Sequence, residues 1–301
     1  MVPRRSFTDT SDFTAIEYGD EIVIGNSRYT VTGVEREQRF GSEDPKFWVK
    51  RVVNADTGER KIIKLSFFES FYTSFGGIKI RCFRNPEKEA EILNLVRGKP
   101  AFMQGTSYYD EKGNNIRVLD IVRGKNLFLY LDSIRMPHEK YFHEALPAIL
   151  GKLVEAFGAI RFIHRNGFRH GDIRIDHLMV NHQDGNYVWI DFDYDYDAEE
   201  NPFGLDIVGM GNILAYAVGK GFHDHYMISN DLNAYGNLRE RLAPGDFSIV
   251  HKSRFLNLQK LFPYVPRMLN DILLHFSAGA AIFYELVDEL IEDLNGYLRS
   301  L

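Results

Sequence analysis

The chain has 301 residues, 45% of them hydrophobic and 26% charged, which excludes wholesale disorder and leaves room for two lobes of roughly 150 residues each. Its 36 basic and 42 acidic side chains give a formal charge of −6, which argues against a nucleic-acid-binding body. A single cysteine, Cys82, excludes an intramolecular disulfide framework and a cysteine-based zinc site.

Residues 1–15 are polar and are expected to form a loose tail without the apolar run of a secretion signal. No segment approaches the roughly 18 uncharged apolar residues of a membrane span, so a cytoplasmic, soluble chain is expected. Over 16–122 the pattern is mainly β. EIVIG, RYTVTGV, KFWVKRVV and RKIIKLSF are rich in β-branched and aromatic residues and read as strands, with a hairpin turn at NADTGER. Phe67, Phe68, Phe71, Tyr72 and Phe75 crowd the stretch from Ser66 to Arg84, which reads as lobe core or a helix packed on it; the alternative is a docking surface for a partner. Asn85-Pro86 opens a helix with acids in its first turn. Strands resume at AFMQGTSYYD and NIRVLDIV, with EKGNN as their turn.

Near Val122–Lys125 the character changes, and 123–301 reads as a mainly helical unit. Leu146, Ile149, Leu150, Leu153, Phe157 and Ile160 recur at helical spacing. HLMVN and YVWIDFD are short strand-like runs, and the chain from Leu205 onward is mostly helical. The predicted fold class is α+β, with a small antiparallel β lobe carrying one helix and a larger α-helical lobe.

Chemistry concentrates in FIHRNGFRHGDIRIDHLMVNHQDGNYVWIDFDYDY, from Phe162 to Tyr196. His177 lies five residues beyond Asp172, and Asp191 lies nineteen beyond it at the end of an apolar strand. A hairpin between them would return Asp191 towards Asp172 and His177. Two carboxylates and a ligand-capable imidazole at one cleft suit phosphoryl transfer, one orienting the attacking hydroxyl and the others holding Mg²⁺ on the phosphates.

These residues resemble the protein-kinase-like superfamily. His170-Gly171-Asp172-Ile173-Arg174 is similar to the catalytic-loop H-R-D-L-K, and Asp191-Phe192-Asp193 to the metal-binding D-F-G. TGERKIIK resembles the turn and V-A-I-K strand ending on Lys64, EAEILNLV the helix supplying its glutamate, VLDIVRGKNL the hinge, and DIVGMGNIL the buried large-lobe helix. The set spans roughly residues 20–295 in the family's order.

The resemblance implies a bilobal kinase fold that uses ATP and Mg²⁺. Asp172 becomes the catalytic base and Arg174 the cation touching the transferred phosphate. Asp191 chelates the metal. Lys64, with Lys61 as its rival, contacts the α- and β-phosphates, and Glu89 is its partner, with Glu87 or Glu91 as alternatives. Asp120 to Val122 form the adenine-binding hinge, Leu119 gates the back of that pocket, and Gly41 and Val49 belong to the phosphate-covering loop and the strand after it. Asp206 braces the catalytic loop, and His164 and His170 are packing positions.

Departures from the pattern bear on function. His177 stands where the family has a metal-binding Asn, so it is a ligand suited to Mn²⁺ or Zn²⁺ rather than Mg²⁺, or the enzyme uses one metal, or the histidine merely bonds the loop. Asp193 replaces the glycine of D-F-G and either fixes that segment or adds a ligand. Gly171 replaces an arginine that pairs with a phosphorylated segment. The stretch between Asp193 and Asp206 is short, as in choline and ethanolamine kinases, and no G-x-G-x-x-G loop is present. The expected activity is transfer of the ATP γ-phosphate to a protein Ser/Thr hydroxyl. The alternatives are an amino alcohol, sugar or antibiotic kinase, or a non-catalytic pseudokinase scaffold.

Overall fold

The structure is a computed structural model describing residues 5–39, 42–75, 77–198 and 201–301. The early β-branched runs form strands because alternate side chains share one face to bury. In chain order they are β1 (Ser6–Phe7), β2 (Glu21–Ile24), β3 (Ser27–Arg39), β4 (Ser42–Asn54) and β5 (Arg60–Lys64). Next come β6 (Ser70–Phe75), β7 (Ile78–Arg84), helix α1 (Pro86–Leu95), β8 (Gly105–Tyr109) and β9 (Asn115–Asp120). Among the described residues a seven-stranded sheet runs β1-β2-β3-β4-β5-β9-β8, antiparallel except for the parallel β1–β2 pair. Ile22, Val31, Val52, Ile63, Leu65 and Ile116 form its buried face. Helix α1 starts where expected, because the Asn85 side chain accepts the Lys88 N–H at 3.0 Å and Pro86 needs no donor there.

Two compact units divide the chain. The first holds the described residues up to Ser70 together with Phe83–Arg123, and the second holds Phe71–Cys82 with Gly124–Leu301. The second unit contains β10 (Gly124–Asn126), α2 (Leu127–Ser133), α3 (His138–Glu144), α4 (Leu146–Arg165), β11 (Leu178–Asn181), β12 (Tyr187–Trp189) and β13 (Tyr194–Tyr196). Helices α5 (Gly204–Gly219), α6 (His225–Asn230), α7 (Leu232–Tyr235), α8 (Leu258–Leu261), α9 (Arg267–Leu274) and α10 (Val287–Arg299) complete it. Its centre is α4, whose apolar stripe is buried against α5, α10 and β12. Trp189 Nε1 donates to the Ala156 carbonyl at 2.9 Å, fixing β12 on that helix. No helix among the described residues is long and apolar enough to cross a membrane.

Two expectations need correction. Residues 5–15 are not a loose tail. β1 pairs with β2, Arg5 bonds Asp20 at 2.6 Å, and the buried Lys50 ammonium donates to the Ile16 carbonyl at 2.6 Å. Most of its polar side chains stay exposed to solvent, and strand pairing and hydrogen bonds such as these hold the segment in place. The aromatic stretch from Ser66 to Arg84 is neither a helix nor uniformly core. Phe67 stacks on Trp48 with ring centroids 4.2 Å apart, whereas Phe68, Phe71 and Tyr72 are exposed. Strands β6 and β7 form a three-stranded sheet with β13 in the order β13-β7-β6, which is why Phe71–Cys82 belongs to the second unit rather than to a continuous small lobe over 16–122.

Asp110 shows how the amino-terminal segment is tied down. Its carboxylate accepts the Thr10 N–H and hydroxyl, both at 2.7 Å, and the Asn114 and Lys112 N–H groups at 2.9 Å. Burial pushes this carboxyl up, but the hydrogen bonds from Asn114 and Thr10 outweigh it and hold its pKa at about 2. A depressed carboxylate contributes stability above its ordinary value and loses it as pH falls through the folded value. Asp110→Ala is therefore expected to cost about 1 kcal/mol at pH 7, solvent screening of this partly open carboxylate included, with the gap to wild type in urea midpoint closing between pH 4 and pH 2. A gap that stays constant over that range would argue against this account.

Candidate active site

In the first unit, β5 ends on Lys64, directly opposite Val49 of β4, and both are buried. The Lys64 ammonium lies 2.9 Å from Glu89 Oε1. Arg117 on β9 reaches the other Glu89 oxygen, Nε to Oε2, at 3.1 Å. The guanidinium also donates to the backbone carbonyls of Asn115 and Leu65 at 3.2 and 3.3 Å. Glu89 is thus held by two buried cations. The competing residues are engaged elsewhere: Lys61 pairs with Asp120 and Glu59 at 2.6 and 2.8 Å, and Glu87 accepts the Tyr109 hydroxyl at 2.6 Å. Glu91 is exposed.

Leu119 is buried on β9 and packs so tightly over Gly105 that a Cβ there would lie 2.7 Å from its Cδ2. The Asp120 N–H is committed to the Gln104 carbonyl at 2.9 Å. Among the described residues neither the N–H nor the C=O of Val122 has a hydrogen-bond partner. Gly41 lies outside the described residues.

In the second unit, α5 sets the loop that carries Asp172. Asp206, fully buried in the first turn of α5, accepts the His170 N–H at 2.7 Å, the Gly171 N–H at 2.9 Å and His164 Nε2 at 2.9 Å. Burial pushes the Asp206 carboxyl up, but the His164 hydrogen bond and charge prevail and hold it below the usual range. Gly171 has φ +88°, a conformation that glycine adopts without strain. Gly209 lets α5 press against Ile173, since a Cβ there would sit 2.6 Å from the Ile173 Cβ.

The β11–β12 hairpin brings the second carboxylate back, as the spacing predicted. The Ile190 N–H bonds the His177 carbonyl at 3.0 Å, so Asp191 emerges beside His177. Asp191 adopts the left-handed region at φ +68°, strain of a kind that persists where surrounding structure over-determines the backbone. His177 lies between the two carboxylates, with Nδ1 3.4 Å from Asp172 Oδ2 and Nε2 3.7 Å from Asp191 Oδ2. Nδ1 also faces the Asp172 backbone carbonyl at 2.9 Å. That carbonyl can only accept, so Nδ1 carries a proton and Nε2 is the nitrogen able to bind a cation.

Donors 3.7 Å apart can both reach one ion with bonds of about 2.1 Å, so His177 and Asp191 fit a single metal. Asp193 is buried, and no group of three His, Cys, Asp or Glu among the described residues is arranged to hold a metal. Arg174, the expected phosphate contact, lies beside two carboxylates of its own loop. Its guanidinium grips Asp176 through Nε and Nη2 at 3.0 and 2.6 Å, and its Nη1 is 4.0 Å from Asp172 Oδ2. Burial raises the Asp172 pKa; His177 and Arg174 oppose the shift, and Asp191 and Asp176 add to it.

Sequence reasoning missed four residues here. Arg117 is an arginine between the apolar Ile116 and Val118 of the NIRVLD run, and that was its only signal. Asp176 lies in the single turn between Arg174 and His177. Arg169 bonds Asp195, donates to the Pro202 carbonyl at 3.2 Å and lies 4.1 Å over the Tyr196 ring. Arg169 and Asp195 thereby hold the segment after Asp193 with a carboxylate of the chain itself.

Together these observations define a protein-kinase-like fold: an α+β chain with an amino-terminal β-sheet and one helix, followed by a helical unit. The kinase domain of Mycobacterium tuberculosis PknI superimposes with a TM-score of 0.51 at 14% identity, covering 94% of this chain and 99% of that one. Its C20A_R136A double mutant gives a TM-score of 0.54 over the same shares, also at 14% identity. In sequence the chain is similar to the Caenorhabditis elegans death-associated protein kinase dapk-1, 27% identical over 168 residues, or 56% of this chain and 11% of that protein. It is also 27% identical over 131 residues to the Dictyostelium discoideum probable serine/threonine-protein kinase fnkE, 42% of this chain and 10% of that protein. The chain therefore spans about a tenth of the length of these curated relatives. No protein-family model matches it.

Proposed function

We propose that the chain is an ATP-dependent phosphotransferase whose acceptor is a protein Ser/Thr hydroxyl. The observation that carries this reading is the convergence of Asp172, His177 and Asp191 within 3.4 and 3.7 Å contacts on a loop braced by Asp206. Asp172 takes the proton of the acceptor hydroxyl as its oxygen bonds to the γ-phosphorus and the bond to the bridging oxygen breaks, releasing ADP. Asp191 and His177 would hold a divalent ion, which would supply charge neutralisation at the phosphates. Lys64, oriented by Glu89, contacts the α- and β-phosphates. The backbone of Asp120 to Val122 receives adenine, Leu119 closes the back of that space, and Val49 lies over it. In this reading the unpartnered Val122 backbone is what adenine satisfies.

A second reading has one specific observation in its favour. Arg174 is occupied by Asp176, which would leave the transferred phosphate without that cation, as in a nucleotide-binding pseudokinase. Calorimetric titration of ATP with Mg²⁺, with Mn²⁺ and with neither separates the two readings when paired with an ADP-release assay on a mixture of protein acceptors. Metal-dependent binding with turnover supports transfer, and metal-dependent binding without turnover supports the pseudokinase. Absence of binding under all three conditions would overturn both. Because imidazole is a poor ligand for hard Mg²⁺, Mn²⁺ is expected to tighten ATP binding several-fold more than Mg²⁺, and His177→Asn to reverse that order. An unchanged metal order in the variant would return His177 to a loop-holding role.

A further inference from the structure

The second unit contains a cation that no described carboxylate neutralises. The Arg254 guanidinium lies 3.5 Å from the centroid of the Phe222 ring, and its Nη1 donates to Asn212 Oδ1 at 2.6 Å. No described carboxylate comes within 4.0 Å of it. Asp224 faces Arg254 across an isolated β-bridge, but its carboxylate caps the Met227 N–H at 2.8 Å. In a chain with 42 acidic side chains, a half-buried arginine left with a ring face and one neutral amide is unusual, because buried charges are normally paired. Burial depresses its pKa to about 10, the expected effect of an uncompensated charge.

Its surroundings give this cation a direction. Phe222 packs edge-on to Tyr216 with centroids 4.9 Å apart, and Tyr216 lies 5.7 Å from Phe128, which is 43% exposed. The chain of ring contacts, with steps of 4.9 and 5.7 Å, is larger than a single phosphate, and a segment of up to about four extended residues could cover it. Tyr216 and Asn212 lie on α5, the helix that also fixes the loop of Asp172. On α5, Asp206 bonds the loop, Gly209 packs under Ile173, and Asn212, one turn on, holds Arg254.

We propose that Arg254 and Asn212, with the Phe128–Tyr216–Phe222 rings, form a docking surface for an acidic segment of a peptide acceptor. A carboxylate of that segment pairs with the guanidinium in the fork geometry arginine favours, and its apolar side chains lie on the rings. The assignment of this peptide as an acceptor rests on the phosphotransferase reading. The binding itself does not, and it is measured without nucleotide, so failure of one is distinguishable from failure of the other.

The test uses two octapeptides carrying the same neutral dye, one with two glutamates and two leucines, the other with glutamines in place of the glutamates, followed by fluorescence anisotropy. Wild type is expected to bind the glutamate peptide about tenfold more tightly, Arg254→Gln to bind both equally, and Arg254→Lys to keep part of the preference. Phe128→Ser, a change at an exposed position, is expected to weaken both peptides while keeping their ratio, which preserves a readout if Arg254→Gln does not fold. Equal binding of the two peptides by wild type, or a preference that survives Arg254→Gln, would overturn the proposal. So would stabilisation of wild type by inorganic phosphate, measured as a thermal shift, that matches the shift given by the peptide, since the site would then accept a lone anion.

Discussion

Asparagine in place of Asp172 is expected to lower phosphoryl transfer by roughly 10²- to 10⁴-fold with little change in ATP affinity, the range lost when a positioned base is removed. The substitution keeps the shape of the side chain and leaves intact the backbone contact between the Asp172 carbonyl and His177 Nδ1 at 2.9 Å. It removes only the carboxylate proposed to take the proton. Single-turnover ADP release measured beside ATP titration separates the two effects, and unchanged turnover would sink the assignment of Asp172 as base. A pH dependence accompanies it. Burial, aided by the Asp191 and Asp176 charges, raises the Asp172 pKa. The base must be ionised to act, so wild-type rate is expected to fall, as pH is lowered, at a higher pH than an ordinary carboxylate would give, and Asp172→Asn to lose that limb.

Removing Glu89 is expected to have the largest effect on stability. Glu89→Ala leaves both Lys64 and Arg117 buried without their shared carboxylate, and breaking a buried ion group in this way costs about 3–5 kcal/mol. Lys64→Met should cost clearly less, because Arg117 still pairs with the Glu89 carboxylate at 3.1 Å. Urea unfolding of the two variants decides the matter: equal losses would mean that Arg117 does not share the load, and a loss under about 1 kcal/mol in Glu89→Ala would mean that the cations find other partners. The arrangement also gives Glu89 an anchor independent of any ligand on Lys64, so helix α1 is held to the sheet with or without nucleotide.

Features with local causes were legible in the sequence. The start of α1 at Asn85-Pro86, the apolar spacing of α4 and the β11–β12 hairpin that returns Asp191 each depend on residues close in the chain, and each lies where expected. The pairing of Lys64 with Glu89, and of Asp206 with the His170 and Gly171 amides, came from the order of family-like motifs rather than from any local pattern. What escaped was set by partners distant in sequence. Ser6–Phe7 is a strand because residues fifteen positions away offer an edge, with Ser6 opposite Glu21. The aromatic stretch became a hairpin because a strand more than a hundred residues later lies beside it. Arg174 carries the right charge at the right position, but the sequence could not show that Asp176 would occupy its guanidinium.

That hairpin also bears on how the chain can be divided. The sequence changes character near Val122, and Gly124 opens the long second portion of the chain, so a cut there looks natural. Yet β13, three residues beyond Asp191, has β7 as its ladder partner, and the Asp197 N–H bonds the Arg81 carbonyl at 2.9 Å. A fragment beginning at Gly124 would leave β13 a bare edge just beyond Asp191. The segment that pairs with this part of the candidate site is translated before α1, so the helical unit is not a module that can be excised, swapped or expressed alone by following the linear boundary.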